Sequence, residues 1–245
     1  MNKPTILLIL ILTFFSCQKN VDQTDIANVL RGNTFVMTSI GEKDTLTVDF
    51  KDSTYTIFEY SNKNLPWRIA SFENNDLLVF DSRVIAIKRI DENTLKGLLI
   101  SEKDYEVTLE KRRIQWNKDL LNGIWIEEKN YDLLLNDSIA KPPPPPAPPG
   151  ISESDFQYPP CYEIKGDTIS ATYFYQVSKS GIDISNSTEF VTMKLRSDLN
   201  KVEKLWKIKK LTDSIMIIDR TIEKENKKFS FLTTTEENIK LIKKR

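Results

Sequence analysis

Apolar residues recur at every second position over long stretches of this chain, and this period constrains its fold more than any other feature. The alternation is clear in residues 45–51, 105–110 and 169–177. A period of two is typical of half-buried strands in antiparallel sheets. No long stripe of period 3.6 interrupts it, so the sequence predicts an all-β protein.

The predicted strands are separated by turns of one recurring form. A short polar residue and then a hydroxyl residue precede an aliphatic residue, in the triads Asp44-Thr45-Leu46, Asn93-Thr94-Leu95, Asp137-Ser138-Ile139, Asp167-Thr168-Ile169 and Asp213-Ser214-Ile215. Asp and Asn side chains accept hydrogen bonds from nearby backbone and tolerate tight geometry, so these triads indicate hairpins.

Two copies of one pattern follow each other along the chain. Leu30-Arg31-Gly32 corresponds to Leu121-Asn122-Gly123, and residues 87–90 correspond to residues 208–211. The second copy is longer, and much of the excess lies between Asp137 and Asp167. The pattern predicts two similar β domains.

The additional residues of the second copy include a proline-rich tract. Proline cannot donate to a sheet ladder and favours the polyproline II conformation. The tract is either a tolerated surface loop, the simpler interpretation, or a semi-rigid arm that docks on a protein partner. The candidate docking residues are Pro142, Pro143, Pro144, Pro145, Pro146, Phe156 and Tyr158, with Cys161 and Tyr162 nearby.

The first residues of the sequence are predicted to form an export signal. Lys3 precedes an apolar run over residues 6–12, which is too short to span a bilayer, and Ser16 precedes Cys17. This end resembles the lipobox of bacterial lipoproteins, in the loose form common in Bacteroidetes. The resemblance implies a signal peptide over residues 1–16, acylation of Cys17 and attachment to the outer membrane. Residues 18–22 do not determine which face of that membrane carries the protein. A transmembrane anchor and an ordinary cleaved signal are the alternatives.

Composition removes several classes of function. The chain has no histidine, which excludes serine triads, Cys-His pairs and histidine-based metal sites. Lys and Arg balance Asp and Glu at 35 each, and no motif for nucleic acid is present. With Cys17 acylated, Cys161 is left without a disulfide partner and is expected to be a buried thiol. We expect no cofactor and no metal.

Carboxylate pairs are the remaining route to catalysis. The nominal pairs are Asp49 with Asp52 and Glu127 with Glu128. Glycosidase chemistry needs two carboxyl groups about 5 to 9.5 Å apart in a cleft, whereas adjacent residues on a strand point to opposite faces. We therefore expect a protein that is not an enzyme.

The second copy opens in a way that resembles a known family. Leu121-Asn122-Gly123-Ile124-Trp125 is similar to the Leu-x-Gly-x-Trp signature of lipocalin-like domains, and residues 206–215 resemble the closing hairpin of lipocalin-like lipoprotein domains of Bacteroidetes. In the first copy Thr34 stands in place of the tryptophan, and Phe35 follows it. The resemblance implies two small antiparallel up-and-down lipocalin-like barrels in tandem.

The predicted domains follow from this resemblance. They are a tether over residues 17–29 that ends in one helical turn, a barrel at 30–113, a barrel at 120–235 with the proline-rich insertion at about 140–160, and a basic tail at 236–245. The hydroxyl and acidic residues 233–237 predict a short helix at the C-terminus. One continuous sheet shared by both halves is the alternative architecture.

The resemblance implies a membrane-anchored binding protein. A small eight-stranded barrel either is filled by its own side chains or holds one small ligand. A cavity for a hydrophobic ligand would be lined by aromatic residues. The candidates are Trp67, Trp125, Tyr173, Tyr175 and Trp206. Packing in the core is, however, the more common role of such residues. The alternative is an envelope scaffold protein whose proline arm docks a partner.

Overall fold

The chain folds into two antiparallel, barrel-shaped sheets, which confirms the antiparallel strands that the alternation predicts and the two barrels that the family resemblance implies. The computed structural model describes residues 26–39, 45–59, 61–73, 75–80, 83–101, 104–135, 157–174, 176–198, 201–225 and 231–244. The two sheets share no strand, so the alternative of one continuous sheet is excluded.

The first barrel is closed. Its strands are β1 (Asn33–Ser39), β2 (Thr45–Phe50), β3 (Thr54–Ile57), β4 (Ser61–Phe72), β5 (Asn75–Phe80), β6 (Arg83–Arg89), β7 (Thr94–Ile100) and β8 (Tyr105–Lys111). Each strand pairs with the next one along the chain, and β1 pairs with β8. Closure leaves no sheet edge on which another chain could add a strand.

A short helix, α1 (Ile26–Leu30), precedes β1 and belongs to the first barrel. Ile26 and Leu30 are buried in the same apolar cluster as Phe35, Phe50 and the other inward residues of the barrel. The helical turn predicted at the end of the tether is therefore present, and it packs into the barrel.

The second barrel is nearly closed. Its strands are β9 (Gly123–Glu127), β10 (Gln157–Lys165), β11 (Thr168–Phe174), β12 (Gln176–Gly181), β13 (Asp183–Ile184), β14 (Phe190–Asp198), β15 (Lys201–Leu211), β16 (Ile215–Glu225) and β17 (Phe231–Lys243). A 3-10 helix (Lys118–Leu121) precedes β9, and α2 (Glu128–Leu135) follows it. β17 pairs with β9, which brings the last described strand against the first.

The two ends of this sheet meet where β12 and β13 face β14. β13 pairs with β14 through its backbone. Along β12, serine hydroxyls take the place of backbone carbonyls, because Ser180 Oγ accepts from the amide of Lys194 and Ser178 Oγ accepts from the amide of Arg196, each at 2.9 Å. β12 and β13 thus act as one interrupted strand, and both barrels have an eight-strand, up-and-down plan.

The equivalent positions of the two copies confirm the repeat. Leu30 and Leu121 are both buried at the end of a short helix, and the glycine two residues later has positive φ, at 70° for Gly32 and 134° for Gly123. A side chain is strained in that region of φ, which favours glycine. The repeated segments at 87–90 and 208–211 lie at the end of the sixth strand of each barrel, and Ile90 directly follows the last residue of β6.

Two expectations near the C-terminus are wrong. Residues 233–237 lie in β17 rather than in a helix, and β17 continues to Lys243, beyond residue 235, where the sequence placed the end of the second barrel. The segment 206–215 joins β15 to β16, so the closing strand is β17. Pairing of β17 with both β16 and β9 outweighs the weak local helix signals.

Candidate functional site

A buried polar cluster lies inside the second barrel and is centred on Arg220. Arg220 projects from β16, between the inward residues Ile218 and Ile222 of the same strand. It meets side chains from β9, β10, β15 and β17, which are four further strands of the barrel. The residues are Glu127, Tyr162, Glu203 and Glu236.

Glu203 is the most deeply buried member, with no exposed side-chain surface. Its Oε1 accepts a hydrogen bond from the hydroxyl of Tyr162 at 2.9 Å, and its Oε2 accepts from Nε1 of Trp206 at 3.0 Å. The two rings meet edge to face at 5.0 Å. Both carboxylate oxygens therefore have neutral donors in addition to the charge of Arg220 at 3.4 Å.

The guanidinium of Arg220 is held on every side. Nη1 donates to Glu127 at 2.9 Å and to the Tyr162 oxygen at 2.6 Å, and Nε donates to Glu236 at 3.1 Å. Burial acts to lower the pKa of Arg220, but Tyr162, Glu203, Glu236 and Glu127 outweigh it and raise the pKa. The guanidinium stays charged.

The cluster reaches solvent on the side of Glu236, which is 48% exposed. Burial raises the pKa of this carboxyl, but the hydrogen bond and charge of Arg220 lower it by more, so the net shift is downward. Lys129, in α2, pairs with Glu127 at 2.6 Å. With its donors and acceptors engaged in one another, the cluster ties β9, β10, β15, β16 and β17 together.

Each tryptophan that the sequence proposed as a cavity lining is buried. Trp67 donates from its ring nitrogen to the carbonyl of Lys51 at 3.0 Å, and Trp125 donates to the carbonyl of Leu121 at 2.7 Å. Trp206 donates to Glu203 as described. The structure does not bring the three together, because Trp67 lies in the first barrel and the other two in the second.

The remaining predicted site residues fall outside the described positions or side chains. Tyr173 lies in β11 and Tyr158 in β10, but only their backbone is described. The other candidates lie outside the described residues: Cys17, Pro142, Pro143, Pro144, Pro145, Pro146, Phe156 and Tyr175. Their proposed roles remain predictions.

The nominal carboxylate pairs have separate environments. Asp49 is buried, whereas Asp52 is exposed in the turn after β2. Glu127 binds Arg220, and Glu128, at the start of α2, pairs with Lys240. Cys161 is buried as expected, and burial raises the pKa of its thiol.

A second polar cluster joins the two barrels. The turn before β14 packs on the outer wall of the first barrel, where the amide of Asn186 donates to Oδ1 of Asp49 at 2.9 Å and the amide of Ser187 donates to Oγ1 of Thr34 at 2.9 Å. Thr34 donates to Asp49 at 2.5 Å. Phe190 stacks on Phe58 of the first barrel, with ring centroids 4.3 Å apart.

This junction holds a strained residue and buried charge. Thr188, in the same turn, has φ of 63°, an unusual value for a β-branched side chain. Arg112 and Glu189 lie 3.5 Å apart as an ion pair, although their facing atoms do not meet in hydrogen-bond geometry. Oδ2 of Asp49 is likewise buried without a hydrogen bond. The barrels are thus joined by a specific polar contact.

A depression of about 360 Å³ opens on the outside of the first barrel. Its floor is the backbone where Ile87, Gly97 and Val107 pair side by side on β6, β7 and β8. Outward side chains form its walls, in particular Ala86, Lys88, Lys96, Leu98, Glu106 and Thr108.

Sequence reasoning missed the Arg220 cluster. A signal was available, because Arg220 lies two residues from each of Ile218 and Ile222 and so occupies an inward position of an alternating strand. A charged residue in such a position requires buried partners. The partner Glu203 is less visible, because a register shift between Glu203 and Leu205 breaks the alternation of β15.

Compared with models of protein families, with curated proteins and with solved structures, the chain gives no match. Among the described residues, no helix is both long enough and apolar enough to span a bilayer. The described part of the chain also holds no group of three or more His, Cys, Asp and Glu side chains placed to bind a metal ion.

Proposed function

We propose that this chain is a bacterial lipoprotein, anchored to the outer membrane through Cys17, whose two lipocalin-like barrels act as filled bodies that carry docking surfaces. It works by binding and not by catalysis. The anchor is supported by the sequence alone, in the basic Lys3, the apolar residues 6–12 and the Ser16-Cys17 pair. The proline-rich segment between α2 and β10 is one proposed docking element for an envelope protein.

The observation that carries this proposal is the packing inside the barrels. In the first barrel, Phe50 meets Phe35 and Trp67 edge to face at 6.0 and 5.3 Å, and Tyr55 meets Phe80 at 5.2 Å. Aromatic rings bury large areas and favour this geometry. Side chains therefore occupy space that a ligand would need in a barrel of this size.

The interior of the second barrel is occupied in another way. Trp125 and Trp206 are fully buried, and the Arg220 cluster crosses the space between five strands. A hydrophobic ligand placed there would have to separate Glu203 from its hydrogen-bond donors, at a cost of roughly 1–3 kcal/mol for each buried polar group left without a partner. This supports a docking role over a carrier role.

Native mass spectrometry of the protein purified from its own host tests the proposal. We expect a mass that includes an acylated Cys17 and no further small molecule, and no uptake of a fluorescent hydrophobic probe. A bound lipid or other apolar molecule at defined stoichiometry would contradict the filled-barrel proposal and support the carrier. A mass without the acyl groups would contradict the anchor.

Deletion of residues 142–149 tests the role of the proline segment. None of the described strands includes residues 142–149, so we expect the variant to keep the unfolding midpoint of the parent. We expect it to lose a partner that affinity capture recovers with the parent protein. Recovery of every partner by the variant would contradict the docking role.

A further inference from the structure

The outer wall of the first barrel is apolar over four adjacent strands. Inward residues such as Leu78, Phe80, Ile85, Ile87 and Leu95 are buried in the core, so the residues that alternate with them face outward. Strand register places the outward residues of β4–β7 in three rows. One is Arg68, Val79, Val84 and Ile100, the next is Ala70, Leu77, Ala86 and Leu98, and the last is Phe72, Asn75, Lys88 and Lys96. We call these twelve residues the outer patch.

Several apolar members of the outer patch are open to solvent. Phe72 is 65% exposed, Ile100 52% and Leu98 38%. A contiguous exposed apolar surface with a polar rim marks a site of interaction with a protein or a membrane.

The barrel architecture does not require such a surface. In the second barrel, the sixth and seventh strands are β15 and β16, and their outward residues include the polar or charged Lys207, Lys209, Asp219 and Thr221, beside a partly buried Ile217. Lys209 and Asp219 form an ion pair at 2.8 Å. Of the exposed large apolar side chains among the described residues, Phe72, Leu98 and Ile100 lie on the outer patch, whereas Val177 is the one that lies on a strand of the second barrel.

Basic residues lie on the outer patch. Arg68 is at one corner, and Lys88 and Lys96 face each other in register along one side. The depression described above lies beside these two lysines, and Ala86 and Leu98 lie on its apolar side. Glu73, Asp104 and Glu106 lie on the border of the patch, so its twelve residues include three cations and no anion.

We propose that the outer patch lies on an anionic lipid bilayer, with Phe72, Leu98 and Ile100 in the interface and Arg68, Lys88 and Lys96 at headgroup phosphates. Burial of apolar side chains together with Lys and Arg attraction to anionic headgroups is the energetic basis of peripheral membrane binding. A second copy of the chain fits less well, because a twofold contact through this patch brings the two sets of cations toward each other.

The proposal extends the lipid anchor proposed above. The stretch from Cys17 to Ile26 reaches roughly 30 Å at most when fully extended. An acylated Cys17 would therefore hold the first barrel within that distance of the membrane, and α1 packs against β1 and β4, the latter a strand of the outer patch. The anchor would raise the local concentration of the patch at the bilayer.

Vesicle binding by residues 18–245 tests the proposal without the acyl group, and this chain keeps every described residue. We expect binding to vesicles of phosphatidylethanolamine and phosphatidylglycerol at 3:1, and little binding to phosphatidylcholine. The triple variant Phe72→Ser, Leu98→Ser, Ile100→Ser should lower the partition coefficient by about tenfold or more. Each of Lys88→Gln and Lys96→Gln should lower it about fivefold, and the lysine effect should shrink in high salt.

Val177→Ser is the matched control, because Val177 is 47% exposed but lies on the second barrel. It should bind vesicles as the parent chain does. Failure of the parent to bind anionic vesicles, or equal binding by the triple variant, would overturn the proposal. Concentration-dependent dimers that the triple variant abolishes, with no vesicle binding, would overturn it in favour of self-association. These results do not depend on acylation of Cys17, which the mass measurement tests separately.

Discussion

The backbone amide of Asn186, in the second barrel, donates a hydrogen bond to the carboxylate of Asp49, in the first, at 2.9 Å. Asp49 occupies an outward position of β2, between the core residues Val48 and Phe50, and yet it is buried. The second barrel covers it. This contact makes the relative placement of the two barrels specific, because a buried carboxylate without donors is costly.

Replacement of Asp49 tests how much the contact contributes to stability. Asp49→Ala leaves the hydroxyl of Thr34 and the amide of Asn186 without their acceptor, and we expect it to lower the free energy of unfolding by about 1–3 kcal/mol. Asp49→Asn keeps an acceptor oxygen and removes a buried charge, so it should cost less. Urea unfolding at neutral pH measures both, and equal losses in the two variants would contradict this explanation.

The same carboxylate should make stability depend on pH. Burial raises the pKa of Asp49 above 3.8, against the opposing effects of Thr34, Asn186 and Lys51, and Asp183 adds to the rise. Between the ordinary and the raised pKa the folded protein holds a proton that the unfolded chain lacks. The contribution of Asp49 to stability therefore rises as pH falls through this range. We expect the parent protein to gain stability relative to Asp49→Asn on acidification from neutral pH, and a constant difference would contradict the prediction.

The stacked rings of Phe58 and Phe190 should couple the two barrels energetically. A double-mutant cycle with Phe58→Ala and Phe190→Ala should give a coupling energy of about 0.5–1.5 kcal/mol in urea unfolding, as aromatic pairs do. Phe58→Ala combined with Ile222→Val is the control, because Ile222 lies in β16, toward its far end, and is not part of the junction. That pair should be additive within about 0.5 kcal/mol.

Sequence reasoning succeeded where the cause is local. The turn triads predict where strands begin, and three strands do begin there, at Thr94, Thr168 and Ile215. The reason is that the conformation of a tight turn depends on an Asp or Asn side chain and its near neighbours in sequence. The Leu-x-Gly segments are likewise local, since a buried leucine and a glycine with positive φ are properties of a few consecutive residues.

Sequence patterns gave wrong predictions where segments distant in the chain determine the local structure or the burial of a residue. Thr233–Glu237 fits a helix cap and a strand equally well, and only the pairing of β17 with β16 and β9 settles it. The polar face of β2 predicts exposure of Asp49, but a turn far along the chain buries it. No local pattern reports which surface a second domain will cover.

The contact of β12 with β14, which closes the second barrel, should depend on two serine hydroxyl groups. Ser178→Ala and Ser180→Ala remove the acceptors for the amides of Arg196 and Lys194. We expect each variant to speed hydrogen exchange at its own amide and to leave the other amide unchanged, with a loss of stability of about 0.5–1.5 kcal/mol. Hydrogen exchange followed by NMR measures this. Unchanged exchange at both amides would show that the hydroxyls do not close the barrel.

Substitution of Arg220 should lower the free energy of unfolding more than substitution at any other position of the second barrel. Arg220→Met leaves the carboxylate of Glu203 buried without its counter-charge, which costs about 3–5 kcal/mol when one partner of a buried pair is removed. Glu203→Gln added to this variant removes the stranded charge while keeping an acceptor for Tyr162 and Trp206, so it should restore part of the loss. Glu236→Gln is the matched control: its side chain is 48% exposed, and a solvent-exposed ion pair contributes about 0–1 kcal/mol. Urea unfolding of the parent, Arg220→Met, Glu203→Gln, the double variant and Glu236→Gln measures these changes. A double variant as unstable as the sum of its two single changes would contradict a direct coupling between Arg220 and Glu203.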